Sequence, residues 1–242
     1  MTKITYKLAF ASAIVFFAVV ATGAQEAYAD GINLLTNGDA ESGQYVRTVL
    51  GFDMYSTPGW TIRSGEFVAE LYSQGTPPNM GLYSPGPPNR GGFLFYGGYV
   101  AATVASQSID VSAVSSMIDS GNVQANVSGW LGGYYNQDDT ATFSAIFLDG
   151  SRNILQSVTI GPVTAAERND VSSLLFCAAD AWLPVGTRTI EAELVLARFQ
   201  GDFNNGAADN LNISLTAVPE PASLLLIGTG LAGLVAARRR RR

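Results

Sequence analysis

Residues 30–218 of this 242-residue chain are expected to fold as an all-β, antiparallel sandwich. Three observations carry that expectation. Short runs alternate apolar and polar side chains with a period of two, as in Thr140 to Leu148 and Thr189 to Phe199. Clusters of Gly, Pro, Asn and Asp separate those runs, and helical spacing is confined to two brief stretches. No period of 20–50 residues recurs, so the segment reads as one domain and not as an array.

The chain begins with Lys3 and Lys7, an apolar run from Leu8 to Ala21, and a polar stretch ending Ala27-Tyr28-Ala29. A positive start, a short apolar centre and small residues at the −3 and −1 positions describe a secretory signal peptide over residues 1–29, cleaved after Ala29.

The expected strands of the body are Gly59 to Arg63, Glu66 to Tyr72, Gly92 to Tyr96, Val123 to Leu131, Thr140 to Leu148, Ile154 to Ile160, Thr189 to Phe199 and Leu211 to Thr216. Short helical turns are expected at Ser112 to Asp119 and at Thr164 to Asn169, where Thr164-Ala165-Ala166-Glu167 fits a capping box. Gly75 to Gly92 holds Pro77, Pro78, Pro85, Pro87 and Pro88. Proline has no N–H for a sheet ladder, so this stretch is a long loop.

Beyond the body stand Val218-Pro219-Glu220-Pro221, a mostly apolar stretch from Ala222 to Ala237 with Gly228, Gly230 and Gly233, and Arg238 to Arg242. Those sixteen residues would span about 24 Å as a helix, slightly short of a hydrocarbon core of about 30 Å. The arginines hold the tail on the cytoplasmic side, leaving the body outside.

Composition excludes much chemistry. The chain has no His, and both lysines lie in the leader. A Ser–His or Cys–His nucleophile, a His-ligated metal, a Schiff base and a P-loop lysine are therefore absent from the body. Cys177 is the only cysteine, so the chain has no internal disulfide and no thiolate zinc cluster; its apolar surroundings predict a buried thiol. Seven arginines against eighteen acids give the body a formal charge of −11, unsuited to nucleic acid.

Residues 219–242, with Pro219, Glu220 and Pro221 as the motif, resemble the PEP-CTERM sorting signal of Gram-negative bacteria that make exopolysaccharide. The resemblance implies transient anchoring in the inner membrane. It also implies cutting near the motif by an exosortase, a transpeptidase-like membrane protease, and delivery to the cell surface or a biofilm matrix.

Within the body, Asn33-Leu34-Leu35-Thr36-Asn37-Gly38-Asp39-Ala40-Glu41-Ser42-Gly43 resembles the opening of galactose-binding-like jelly rolls, a class rich in carbohydrate-binding modules. Asp39-Ala40 departs from the usual pattern there. Gly206 to Leu215 resembles the closing strand of the same family, and Pro58-Gly59-Trp60 an internal one. The resemblance implies a jelly-roll sandwich whose first and last strands meet. It also implies a structural Ca²⁺ there, with Glu41 and Asp209 at the acidic ligand positions and Asp39, Asp202 and Asn204 as further oxygen donors.

Two regions offer ligand-binding chemistry. Trp130, Tyr134 and Tyr135 could stack on sugar C–H faces while Asp138 and Asp139 bond hydroxyls; equally, the segment is a hairpin with packed aromatics and solvated acids. Tyr83, Arg90, Tyr96 and Tyr99 flank the proline-rich stretch and form a second candidate surface, or an inert loop. Trp60 is read as core. Adjacent acids on a strand point to opposite faces, so Asp138-Asp139 fits a glycosidase pair poorly. The expectation is a non-enzymatic, exported polysaccharide-binding protein. The alternatives are a structural surface protein acting through protein contacts and, third, a glycan-active enzyme.

Overall fold

The computed structural model describes residues 31–47, 53–72, 80–218 and Arg238. The expected leader with Ala27 and Ala29, and the tail motif Pro219, Glu220 and Pro221, lie outside the described residues.

Among the described residues, twelve strands form two antiparallel sheets. They are β1 (Tyr45–Arg47), β2 (Asp53–Tyr55), β3 (Thr61–Ser64), β4 (Val68–Leu71), β5 (Phe93–Tyr96), β6 (Ala102–Asp110), β7 (Val123–Gly133), β8 (Thr140–Leu148), β9 (Ile154–Ile160), β10 (Ser173–Trp182), β11 (Thr189–Ala197) and β12 (Ala207–Ala217). One sheet runs β1-β2-β4-β5-β12-β7-β10 and the other β3-β6-β11-β8-β9. A 3-10 turn at Ser112–Val114 leads into α1 (Ser115–Asp119), within the expected helical stretch.

The alternation read from the sequence sets which residues enter the space between the sheets. Phe143, Ala145 and Phe147 of β8 and Ile190, Ala192, Leu194 and Leu196 of β11 are all fully buried there, facing Val123, Val127 and Leu131 of β7. Burying each large side chain contributes about 1.5–3 kcal/mol. Trp60 belongs to this core as expected, packing edge-on against Phe67 and Phe95 and donating its indole N–H to Asn37 O at 3.1 Å. The apolar clusters of the described residues lie within residues 31–218.

The opening and closing segments meet. Asn33 Nδ2 donates to Leu211 O at 2.8 Å, Leu34 N to Ile213 O at 2.8 Å and Leu211 N to Gly38 O at 2.8 Å. A Cβ at Gly38 would overlap Leu211 O, which explains the glycine. The Thr164–Glu167 capping box is formed in both directions, Thr164 N to Glu167 Oε2 at 2.8 Å and Glu167 N to Thr164 Oγ1 at 3.2 Å, around a turn without a full helix.

Candidate functional site

One half of the seven-stranded sheet presents an open outer face built by register. Across β10, β7 and β12, Phe176 lies opposite Trp130, itself opposite Asp209. The next outward row is Ala178–Ser128–Asn212, then Asp180–Asn126–Ser214, then Trp182–Gln124–Thr216. Alternate residues Leu175, Cys177, Ala179 and Ala181 turn inward against the core, leaving the Cys177 thiol half-buried and its pKa raised, chiefly by burial. Phe176 and Trp182 are 59% and 51% exposed, and Phe176 packs on Trp130 with centroids 5.6 Å apart. Six residues of strand separate them, about 20 Å. Between the aromatics lie side-chain amides and hydroxyls: Asn126 Nδ2 donates to Asp180 Oδ1 at 2.7 Å, and Asn212 Nδ2 to Ser214 Oγ at 3.3 Å.

At the start of β10 this face runs into a groove of about 600 Å³ lined by Tyr83, Ser84, Pro85, Tyr134, Tyr135 and Ser172. The two surfaces proposed separately from the sequence therefore join at their tyrosines. Tyr83 is almost wholly exposed and Tyr135 is 54% exposed, with Tyr134 edge-on to Tyr135 at 4.7 Å. The hairpin bearing them is held from beneath by Arg168. Its buried guanidinium donates to Gly133 O, Tyr135 O and Val171 O from Nη1 and to Gln137 O from Nη2, all at 2.8–2.9 Å.

Other expected ligand contacts are placed elsewhere. Tyr96 is fully buried on β5, so no surface ligand reaches it. Asp139 is likewise buried; its carboxylate accepts from the N–H groups of Phe199, Gln200 and Asn205 and pins the β11–β12 connection. Both therefore leave the binding set: backbone amides enclose Asp139, and Tyr96, although on the outer side of its sheet, is covered by Met54, Val68 and Tyr99. Asp138 stays at the surface beside Phe199 and Gln200, in a separate hollow. Arg90 sits over the Tyr72 ring at 5.0 Å and donates to Pro87 O and Gly81 O, which makes it a loop brace. Tyr99 lines an apolar cavity of about 820 Å³ with Trp60, Phe67 and Val68, and burial raises its pKa to about 12.

The expected calcium ligands have protein partners. Glu41 Oε1 accepts from Gly92 N and Phe93 N, each at 2.9 Å, and Asp39 Oδ1 accepts from Glu41 N at 3.4 Å. Asp209, fully buried, accepts from Tyr72 Oη at 2.5 Å and from Asn210 N at 2.6 Å. Burial is the main cause that lifts Asp209 to a pKa of about 8; its two hydrogen bonds oppose the rise, and the nearby Glu41 and Asp39 add to it. Asn204 holds Leu196 O, and Asp202 offers its backbone oxygen to Arg198. These oxygens are of the type calcium takes. Among the described residues, however, no three acidic or sulfur side chains gather closely enough to hold an ion.

Comparison with known proteins bears on the tail and on the fold. Residues 217–241 match the family model of the PEP-CTERM protein-sorting motif. The chain carries a PEP-CTERM sorting signal. This motif implies export, transient anchoring and exosortase processing. No curated protein matches the chain in sequence.

Three solved structures resemble the body. The enzymatically active domain of bacteriophage CBA120 tailspike protein 4 is 16% identical with a TM-score of 0.47, over 76% of this chain; the match spans only 21% of the tailspike domain. The module TmCBM61, solved with β-1,4-galactotriose, is 15% identical with a TM-score of 0.42, over 77% of this chain and 99% of its own. A cyclase from Fischerella sp. TAU, solved with 4-(1H-indol-3-yl)butan-2-one, is 14% identical with a TM-score of 0.50, over 78% and 100%. At such identities the likeness concerns the fold alone: the described body is an antiparallel β-sandwich of two sheets.

Proposed function

We propose that the exported body is a non-catalytic polysaccharide-binding module whose ligand lies along the outer face of β10, β7 and β12 and enters the tyrosine groove. The observation that carries this reading is the register that sets Phe176, Trp130 and Trp182 on one face with Asn126, Asp180, Asn212 and Ser214 between them. Aromatic faces carry negative quadrupole charge and attract the C–H faces of sugar rings. Amides and hydroxyls supply both donors and acceptors for ring hydroxyls. The absence of a catalytic role is part of the proposal. Its support is that Asp139 is turned inward on backbone amides while Asp138 lies in a different hollow, so the paired acids do not flank one cleft.

After tail processing by an exosortase-type membrane protease, the body is delivered to the cell surface or the extracellular polymer matrix. The test is affinity electrophoresis of residues 31–218 through gels each cast with one polysaccharide. One polymer retards the wild type, and Phe176→Ala, Trp182→Ala and Tyr135→Ala each weaken the retardation about tenfold, about 1.4 kcal/mol. Unaltered migration of the folded protein in every gel, or variants that bind as the wild type does, would remove this reading.

A further inference from the structure

Among the described residues β10 ends the seven-stranded sheet, and one of its edges has no strand beside it. Two hydrogen bonds tell which backbone groups face that edge. Leu183 N, just past the strand, donates to Val123 O towards β7, whereas Leu174 N donates to Pro85 O on the opposite side. The direction alternates along an antiparallel strand. Residues 176, 178, 180 and 182 therefore turn their N–H and C=O groups outward. Pro85 closes this open row at Leu174, and Pro184, which has no N–H, follows its other end. The centre of the row is Ala179.

Exposed edges are ordinarily blunted by Lys, Pro or a bulge. β10 has none of these: it reads Ser-Leu-Leu-Phe-Cys-Ala-Ala-Asp-Ala-Trp and pairs with β7 without a break in register. Its one charge, Asp180, is held by Asn126. β9, the end strand of the other sheet, packs beside it and exposes Ile154 and Leu155.

We infer that two copies of this chain pair edge to edge through antiparallel β10 strands about a two-fold axis at Ala179. An isologous contact requires residue i to meet j while j meets i. On this axis Phe176 meets Trp182 of the partner subunit, twice, and each Asp180 faces an alanine instead of the other Asp180. Every open position from 176 to 182 is filled. Moving the axis to Ala178 would set Phe176 against Asp180 and bring Trp182 opposite Leu174, whose N–H is already taken by Pro85. The aromatic pairs are cross-strand neighbours of the kind that stabilise sheets. The two outer faces then form one continuous surface across the dimer.

The experiment is sedimentation equilibrium of residues 31–218 in buffer without sugar, which keeps it independent of ligand binding. The wild type sediments as a dimer, while Ala178→Lys and Trp182→Ser, both at exposed positions, raise the dissociation constant at least about tenfold with circular-dichroism spectra like the wild type's. The register is read by oxidising Ala179→Cys in a Cys177→Ser background. A non-hydrogen-bonded pair holds its Cα atoms about 4.5 Å apart, within the disulfide range of about 4.4–6.8 Å, so a covalent dimer forms. A monomeric wild type at the highest soluble concentration overturns the inference, as does a dimer indifferent to Ala178→Lys. Cross-linking through Ala178→Cys but not Ala179→Cys also overturns it, because the axis then lies elsewhere.

Discussion

Replacing Glu70 by Gln should stabilise the protein at neutral pH and leave it unchanged in mild acid. Glu70 lies on β4, 3% exposed, and its Oε2 has no hydrogen-bond partner; the Tyr96 hydroxyl, whose pKa is raised by burial first and by Glu70 next, is also buried without one. Burial lifts the Glu70 pKa from 4.5 to about 9. The folded state thus keeps a proton that the unfolded chain releases above pH 4.5, so stability falls as pH rises from 4.5 towards 9. Each pH unit costs about 1.4 kcal/mol, which makes about 3 kcal/mol by pH 7. Asp209, lifted from 3.8 to about 8, contributes a similar slope of the same sign. The wild type should therefore lose about 2.7 kcal/mol per unit between pH 5 and pH 7, and Glu70→Gln about half that. Glutamine keeps the shape and cannot ionise. Urea unfolding of residues 31–218 at pH 5, 6, 7 and 8 gives both slopes. Parallel slopes for the two proteins, or a variant less stable than wild type at pH 7, would refute the argument.

Arg168→Met should destabilise by about 3 kcal/mol, because four backbone carbonyls lose their buried donor; thermal melting reads the loss, and retardation in polysaccharide gels falls as the Tyr134–Tyr135 hairpin loosens. Gly38→Ala pushes a methyl group into Leu211 O and should cost about 2–4 kcal/mol, read by urea unfolding; a cost under about 0.5 kcal/mol would mean the closing seam yields freely. Calcium at Glu41 and Asp209, as the jelly-roll resemblance implies, is a proposal that melting decides. A bound ion raises the midpoint in calcium, lowers it in chelator, and loses both effects in Glu41→Ala; a wild type indifferent to both removes calcium from the account. For the tail, mass spectrometry of cell-associated protein should find chains lacking Arg238 to Arg242, and an intact arginine run on the mature protein would count against exosortase processing.

The sandwich was legible because its two central inner ladders contrast their faces. Phe143, Ala145 and Phe147 point in while Thr142, Ser144 and Ile146 point out, and β11 repeats the device with Glu191 and Glu193 outward. The seam was legible too, since Asn33, Gly38 and Leu211 do work that a short motif can announce. Tyr96 and Asp139 were misplaced for a shared reason. A polar or aromatic residue beside a loop looks available in one dimension, whereas its exposure is set by partners distant in sequence, such as the amides of Phe199 and Asn205 around Asp139 and the Met54 side chain over Tyr96. β6 escaped notice because Ala-Thr-Val-Ala-Ser-Gln-Ser-Ile-Asp pairs small and polar residues without a clear apolar face.

β10 is the more instructive omission, because the candidate site rests on it. Along Ser173–Trp182 the inward residues are Leu175, Cys177, Ala179 and Ala181 and the outward ones Phe176, Ala178, Asp180 and Trp182. Both faces mix apolar and small residues, so the period of two carries no polarity contrast, and three alanines dilute the β-branched signal. The cause of the faint pattern is the same as the basis of the proposed function. A strand with one face in a core and the other bearing solvent-facing aromatics must read as apolar on both sides, and the exposed Phe176 and Trp182 that hide it are costly to leave in water without a use. Sugar rings lying on the outer face and a second copy lying against the edge would each cover them from a different direction. The two proposals are therefore compatible, and their assays separate them: sedimentation without sugar reads pairing at the β10 edge alone, whereas retardation in polysaccharide gels reads the outer face on which Phe176, Trp130 and Trp182 stand.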